Sequence, residues 1–192
     1  MIALFYSTKS CDKSEEHQCS YDLLSKIIAK SYGLDYSQLE LKYTRNRKPY
    51  IDGIPFSISH SNGVCCVAID VKDKPYNIYD VAMLKIDNKN CASIGVDIEC
   101  ISDKPLCKCR KIAEKKFFYN EIELLDSSLS DSEYIDRFSA IWTKKESYGK
   151  YTGKGLSDAL AFDSTVDCPL DFYQKFVTID GKRYSLTLCY NS

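Results

Sequence analysis

Ile94-Gly95-Val96-Asp97-Ile98-Glu99 alternates, residue by residue, between apolar side chains and small or acidic ones. A period of two marks a strand, because successive side chains leave it on opposite faces. Ile94, Val96 and Ile98 then share a core face. Gly95, Asp97 and Glu99 share the other, where two carboxylates stand side by side and Gly95 leaves room for a ligand. Like charges this close repel unless a cation lies between them. Hard oxygen donors in that arrangement suit Mg2+, with Mn2+ as the alternative. The competing reading is a solvated polar face on an ordinary strand.

On either side of this strand the pattern predicts an α+β chain. Met1–Tyr6 reads as a first strand, followed by a helix with Ser14 as N-cap, an apolar stripe of Leu23, Leu24, Ile27 and Ile28, and Gly33 as its stop. Leu39–Thr44 alternates like a strand and runs into a basic turn, Arg45-Asn46-Arg47-Lys48-Pro49, where Pro49 favours an extended Lys48. Phe56–Ser61 and Val64–Val71 form a hairpin through Asn62-Gly63. Residues 72–92 read as a surface excursion or an extra hairpin. Helices are expected around 105–118, 121–126 and 132–151. Strand character returns at Leu160–Asp163, Asp171–Asp180 and Tyr184–Tyr190, with a turn at Asp180-Gly181. The order strand, helix, strands occurs twice, compatible with two similar lobes, residues 1–92 and 93–192.

Composition narrows the function classes. The 192 residues suffice for one large domain or two small lobes, and 44% apolar with 28% charged residues is ordinary for a globular protein. Lys+Arg at 26 against Asp+Glu at 27 leaves a net charge of -1, which predicts neither nucleic-acid binding nor attraction to a membrane. Any anion site must be built locally. The first strand lacks a basic start and is too short for a signal-peptide core, so the protein is read as cytoplasmic. The ten cysteines include no Cys-x-x-Cys pair and only two histidines accompany them. They are read as reduced thiols packing as small hydrophobes, rather than as a zinc site or a disulfide framework.

Two further segments carry chemistry. Trp142-Thr143-Lys144-Lys145-Glu146-Ser147-Tyr148-Gly149-Lys150 is helical by pattern, and Trp142, Lys145, Glu146 and Lys150 fall on one side of it. A carboxylate and an ammonium beside an indole could bracket a charged substrate; the alternative is an i,i+4 ion pair beside a half-buried tryptophan. Gly153 and Gly155 then make a helix exit rich in backbone donors, able to approach a phosphate. His60, flanked by the hydroxyls of Ser59 and Ser61 and downstream of the basic turn, is a candidate anion ligand. His17 has no comparable setting.

Taken together, Lys48-Pro49, Ser57-Ile58-Ser59-His60-Ser61, Gly95-Val96-Asp97-Ile98-Glu99 and Trp142-x-x-Lys145-Glu146-Ser147-x-x-Lys150 with Gly153-x-Gly155-Leu156 resemble the 4′-phosphopantetheinyl transferases of the Sfp type. The resemblance runs from about residue 13 to residue 163, and Phe117-Phe118 with Glu121 resembles the family's linking helix region. It implies a pseudo-two-fold α+β fold with coenzyme A in a cleft between the lobes. The reaction would be Mg2+-dependent transfer of the phosphopantetheine arm to a serine of an apo acyl or peptidyl carrier protein, releasing adenosine 3′,5′-bisphosphate. By the same resemblance Asp97, Glu99 and Glu146 would hold the metal. Glu146 would be the base and Lys150 the pyrophosphate contact, with Asp97 in the catalytic set. Lys48, Pro49, Ser59, His60, Asp97, Lys145, Lys150, Gly153 and Gly155 would bind coenzyme A. A single chain with both lobes suggests a monomer.

The chain is shorter than typical members. On the early helix, where members often carry basic residues that grip the 3′-phosphate, it offers Lys13, His17, Gln18 and Lys26. A basic segment, Lys108, Arg110, Lys111, Lys115 and Lys116, could receive an acidic carrier helix or be merely a solvated face. Two alternatives stay open: a non-catalytic relative that binds coenzyme A or a carrier, and a metal-dependent coenzyme A pyrophosphate hydrolase.

Overall fold

The computed structural model describes residues 1–72, 78, 80–86, 93–102 and 104–191. Its first sheet is built from β1 (Ile2–Ser7), β4 (Phe56–Ser61), β5 (Val64–Asp70) and β6 (Val81–Ile86) in the order β4-β5-β1-β6, all neighbours antiparallel. Its second sheet has the order β7-β9-β8, from β7 (Gly95–Cys100), β8 (Asp171–Ile179) and β9 (Lys182–Tyr190). Helix α1 (Glu16–Tyr32) covers the first sheet; α2 (Leu106–Lys116), α3 (Tyr119–Asp126), α4 (Asp131–Thr152) and α5 (Leu156–Ala161) accompany the second. The architecture is thus two α/β lobes. Among the described residues, no helix is long and apolar enough to cross a membrane.

The near-continuous apolar run of β1 has a simple cause. Ile2, Leu4 and Tyr6 pack against the second sheet, while Ala3 and Phe5 pack under Leu23, Leu24, Ile27 and Ile28 of α1. A strand covered on both faces has no polar face to show. Gly33 ends α1 in the left-handed conformation, φ 64°, and donates its N–H to the carbonyl of Ala29. Asn62-Gly63 and Asp180-Gly181 both take positive φ and close the β4–β5 and β8–β9 hairpins.

Several boundaries differ from expectation. The Ser14 N–H and hydroxyl both go to the Asp12 carboxylate, and α1 begins only at Glu16, so Ser14 is not its cap. Leu39–Thr44 pairs only through β2 (Lys42–Tyr43) with β3 (Pro49–Tyr50). Within 72–92, Val81–Ile86 is an edge strand of the first sheet beside β1; residues 73–77, 79 and 87–92 lie outside the described residues. Leu160 and Ala161, expected in a strand, close α5, whose Ala159 is buried against the exit of α4.

The sheets meet where β4 runs beside β7. The hydroxyls of Ser57, Ser59 and Ser61 accept the backbone N–H groups of Val96 (3.0 Å), Ile98 (3.3 Å) and Cys100 (3.0 Å). These N–H groups point away from β9, and without the serines they would be buried and unpaired. Gly95 does not make room for a ligand. An added Cβ would lie 1.9 Å from the Ser147 carbonyl oxygen, so the glycine admits the backbone of α4.

Lys145 turns into the protein interior. It is 1% exposed and pairs at 2.9 Å with the fully buried Glu121, while its ammonium also donates to the Phe162 carbonyl and lies over the Phe118 ring. Glu121 in turn accepts the N–H groups of Phe118 and Ser164. Burial pulls the lysine below its ordinary pKa against the raising influence of Glu121. This pair ties α3 and the 162–164 segment to α4, so Lys145 is a structural residue.

Two stability measurements check these roles. Ser57→Ala leaves the Val96 N–H unpaired and lowers unfolding free energy by about 1–3 kcal/mol in urea titrations, against about 0.5 kcal/mol or less for the exposed Ser157→Ala. Glu121→Ala strands a buried ammonium and costs about 3–5 kcal/mol, whereas Glu121→Leu/Lys145→Met recovers most of that loss.

Candidate active site

The serine seam carries the site. Ser59, whose Oγ accepts the Ile98 N–H, donates its own proton to Asp97 Oδ1 at 2.9 Å, and Ser61 donates to Glu99 Oε2 at 3.3 Å. Asp97 is only 7% exposed. Across it, Lys150 Nζ lies 2.8 Å from the same Oδ1. Glu99 is met by Lys104 at 2.9 Å. Strand alternation puts both carboxylates on the face that α4 covers, and Glu146 sits one turn before Lys150 on that helix.

Glu146 is the electrostatically perturbed member. Burial is the main force raising its pKa above the usual carboxylate range; Asp97 and Glu99 add to the rise, and Lys150 opposes it. Three acidic groups thus share one partly desolvated region with Lys150 and Lys104 as counter-charges. Their oxygens do not all lie within 4.8 Å of one another; among the described residues only Cys11, Cys19 and Cys65 form such a group. A hard cation suits the donor chemistry, since Glu146 is strained by the two carboxylates it faces, and a divalent ion would relieve all three.

Hollows open on both sides of the seam. One, about 250 Å³, is lined by Arg47, Lys48, Ser57, Glu146, Lys150 and Gly153 among others. The other, about 410 Å³, takes in Lys13, Ser61, Glu99, Lys104 and Lys108. Lys48 borders the first while donating to the Ile94 carbonyl at 2.9 Å, and Pro49 opens β3 beside it.

Other expected residues are placed differently. Ser59 is 6% exposed, and its hydroxyl spends its proton on Asp97 while accepting the Ile98 N–H, so it is placed as part of the seam. Its alternation with His60 also puts the serine hydroxyls and the imidazole on opposite faces of β4. His60 Nδ1 instead lies 3.0 Å from Glu16 Oε1, out of line for a hydrogen bond, and its ring meets His17 edge-on with centroids 6.0 Å apart. His17 therefore does have a setting, beside the other histidine. Only the docking of α1 on the β4–β5 hairpin creates it.

Lys26 lines a separate cavity with Cys11 and Cys19. Trp142 stacks on Phe138 within the helical cluster and does not face the carboxylates. Gly155 spends its N–H on the Gly149 carbonyl, and Gly153 gives its carbonyl to Asn46. Both take positive φ, 77° and 70°, and the chain they turn packs against Gly149, where an added Cβ would sit 2.7 Å from the Gly155 oxygen. Gly153, with φ 70°, still borders the first hollow.

Comparison with known proteins agrees with this geometry. Residues 93–191, the segment holding Asp97, Glu99, Glu146 and Lys150, match the family model described as the 4′-phosphopantetheinyl transferase superfamily. A 4′-phosphopantetheinyl transferase of Bacillus subtilis is 31% identical over 162 residues, covering 83% of this chain and 57% of that protein. The 4′-phosphopantetheinyl transferase pptA of Paxillus involutus is 27% identical over 170 residues, 83% of this chain and 59% of its own length. The 4′-phosphopantetheinyl transferase HetI of Nostoc is 26% identical over 141 residues, 70% and 50%. The chain spans about half the length of the curated relatives it matches. With a family model over half of its residues and relatives aligned across the seam and α4, the chain belongs to the 4′-phosphopantetheinyl transferase superfamily.

Proposed function

We propose that this protein transfers the 4′-phosphopantetheine arm of coenzyme A to a serine hydroxyl of an apo acyl or peptidyl carrier protein. The observation that carries the reading is the apposition of Lys150 and Glu146, whose pKa burial and the neighbouring carboxylates raise, with Asp97 at the floor of the seam. Asp97, Glu99 and Glu146 are the residues that would hold Mg2+, which supplies charge neutralisation for a breaking phosphoanhydride. Lys150 is exposed enough to turn from Asp97 to the pyrophosphate. Arg47 and Lys48, on the hollow beside it, add positive charge for the nucleotide end, with His60 and His17 further along the same lobe.

The acceptor serine oxygen bonds to the phosphorus that bears the pantetheine arm. The P–O bond to the adenosine-bearing phosphate breaks, adenosine 3′,5′-bisphosphate leaves, and the hydroxyl proton passes to Glu146. A carboxyl group with a raised pKa is a better proton acceptor than an ordinary glutamate. The chemistry is positioning and electrostatics without a covalent enzyme intermediate. Helix α2 presents Lys108, Arg110, Lys111, Lys115 and Lys116 to solvent beside the 39% exposed Phe118. That basic and aromatic surface next to the Glu99 hollow suits an acidic carrier helix.

The deciding experiment incubates the protein with coenzyme A, Mg2+ and an apo carrier protein and reads the carrier's intact mass. The expected result is a gain of one phosphopantetheine, abolished by chelator and by Asp97→Ala, and slowed about 10²–10⁴-fold by Glu146→Gln, the range for loss of a general base. Release of bisphosphate in the absence of carrier would favour the hydrolase instead. Coenzyme A binding without transfer to any carrier would favour a binding role.

The pKa of Glu146 makes an independent prediction. Because its folded-state pKa is raised, the folded chain holds this proton more tightly than the unfolded chain. Between the two pKa values stability therefore falls as pH rises. In thermal melts without divalent metal, Glu146→Gln should be more stable than the parent at neutral pH. The advantage should vanish below the ordinary glutamate range and shrink when Mg2+ is added. An advantage insensitive to both pH and Mg2+ would remove Glu146 from the metal site.

A further inference from the structure

Three of the ten cysteines, distant in sequence, converge on the far side of the β4–β5 hairpin from the serine seam. Cys11 lies in the segment between β1 and α1, Cys19 in the first turn of α1, and Cys65 on β5 opposite His60. Their sulfurs all lie within 4.8 Å of one another. They border a single cavity together with Asp22. Cys65 is buried, while Cys11 and Cys19 are partly accessible, so the cluster has an entrance.

The arrangement is held by the backbone around it. The Cys11 N–H donates to the Gly63 carbonyl at 2.8 Å, and the Gly63 N–H donates to the Glu16 carboxylate at 2.9 Å. An added Cβ on Gly63 would lie 2.3 Å from the Cys11 carbonyl oxygen, so only glycine lets the Cys11 segment approach so closely. Cys65 is anchored by its N–H on the Ser7 hydroxyl at 3.1 Å. Its thiol donates to the Glu16 carbonyl at 3.2 Å, and the Cys11 thiol to the Gly63 carbonyl at 3.1 Å. Each ligand position is thus fixed on a different element, and the three chain segments are already brought to one point.

We infer that Cys11, Cys19 and Cys65 form a binding site for a thiophilic metal ion, with Zn2+ as the natural occupant. Around a tetrahedral zinc with Zn–S of about 2.3 Å the sulfurs stand about 3.8 Å apart. The cluster therefore needs only a small closure. Three thiolates exclude the hard cations that suit the carboxylate site and leave a fourth position open to the cavity, for water or for Asp22. Burial and the neighbouring thiols hold the Cys11 thiol up at about 12, and because thiols ligate as thiolates, binding must release protons. Occupancy would clamp the start of α1, with Glu16 and His17, to the hairpin that carries His60.

The test uses the full chain, reduced and stripped of metal with a chelator, then titrated with Zn2+ and separately with Co2+. The expected result is one Zn2+ per chain, a thiolate-to-cobalt charge-transfer band with Co2+, and a rise in Tm. Zn2+ should also protect three thiols against a thiol reagent. Cys11→Ser and Cys19→Ser, at the two accessible positions, should each abolish the charge-transfer band and the Tm rise while retaining the parent's circular dichroism. Cys107→Ser, on the exposed face of α2, should change neither. Absence of stoichiometric uptake by the reduced chain overturns the inference. So does uptake that survives both serine variants, or a disulfide between two of the three thiols with no zinc bound after its reduction.

Discussion

The structure depends on how two sheets can lie edge against edge without sharing a backbone ladder. β7 pairs with β9 on one side only, and the N–H groups of Val96, Ile98 and Cys100 point toward β4. Burying three such groups unpaired would cost several kcal/mol. Serines at every second position of β4 solve this with side-chain oxygens, and a hydroxyl that accepts from a backbone amide still has a proton to give. At Ser59 and Ser61 that proton goes to Asp97 and Glu99. The device that joins the lobes therefore also aims the two carboxylates.

Helix α4 is the second constraint, and it serves a different neighbour on each side. Thr143 hydrogen-bonds to Ser185 and Thr187 on the outer face of β9. Lys145 turns into the buried pair with Glu121, and Ser147 lies with its backbone against Gly95. Glu146 and Lys150, four residues apart, are left to line the hollow beside Lys48. A rotation of about 100° per residue separates Lys145 from Glu146, so adjacent charged residues have opposite fates: one is locked into the fold and the other left in an acidic hollow.

The electrostatics of the hollow follow from these anchors. Asp97 is oriented by Ser59 and neutralised by Lys150, and Glu99 is met by Lys104, while burial first, and then Asp97 and Glu99, raise the pKa of Glu146 against the opposing charge of Lys150. A group poised in this way responds to whatever positive charge enters the site. Gly95 brings the carboxylate strand against the backbone of α4 and so sets the distance between them, while Gly149 lets the chain after α4 fold back onto the helix.

Much of this was legible in the sequence, and the limits are physical. Alternation in 94–99 determined the strand and the shared face of Asp97 and Glu99, because strand geometry has only two sides. The stripe of Leu23, Leu24, Ile27 and Ile28 and the glycine stops determined α1 and the hairpins, because these depend on local backbone preference. Helical spacing placed Glu146 and Lys150 together for the same reason. Which partner each side chain meets was decided only by the tertiary structure. Lys145 faces Glu121 because α3 happens to lie there, Gly95 receives a helix instead of a ligand, and the Ser59 hydroxyl is spent on β7. His17 reaches His60, and Cys11, Cys19 and Cys65 meet, only once α1 docks on the β4–β5 hairpin. Local periodicity states which face a residue occupies; what covers that face depends on contacts between distant segments, and no spacing along the chain records them.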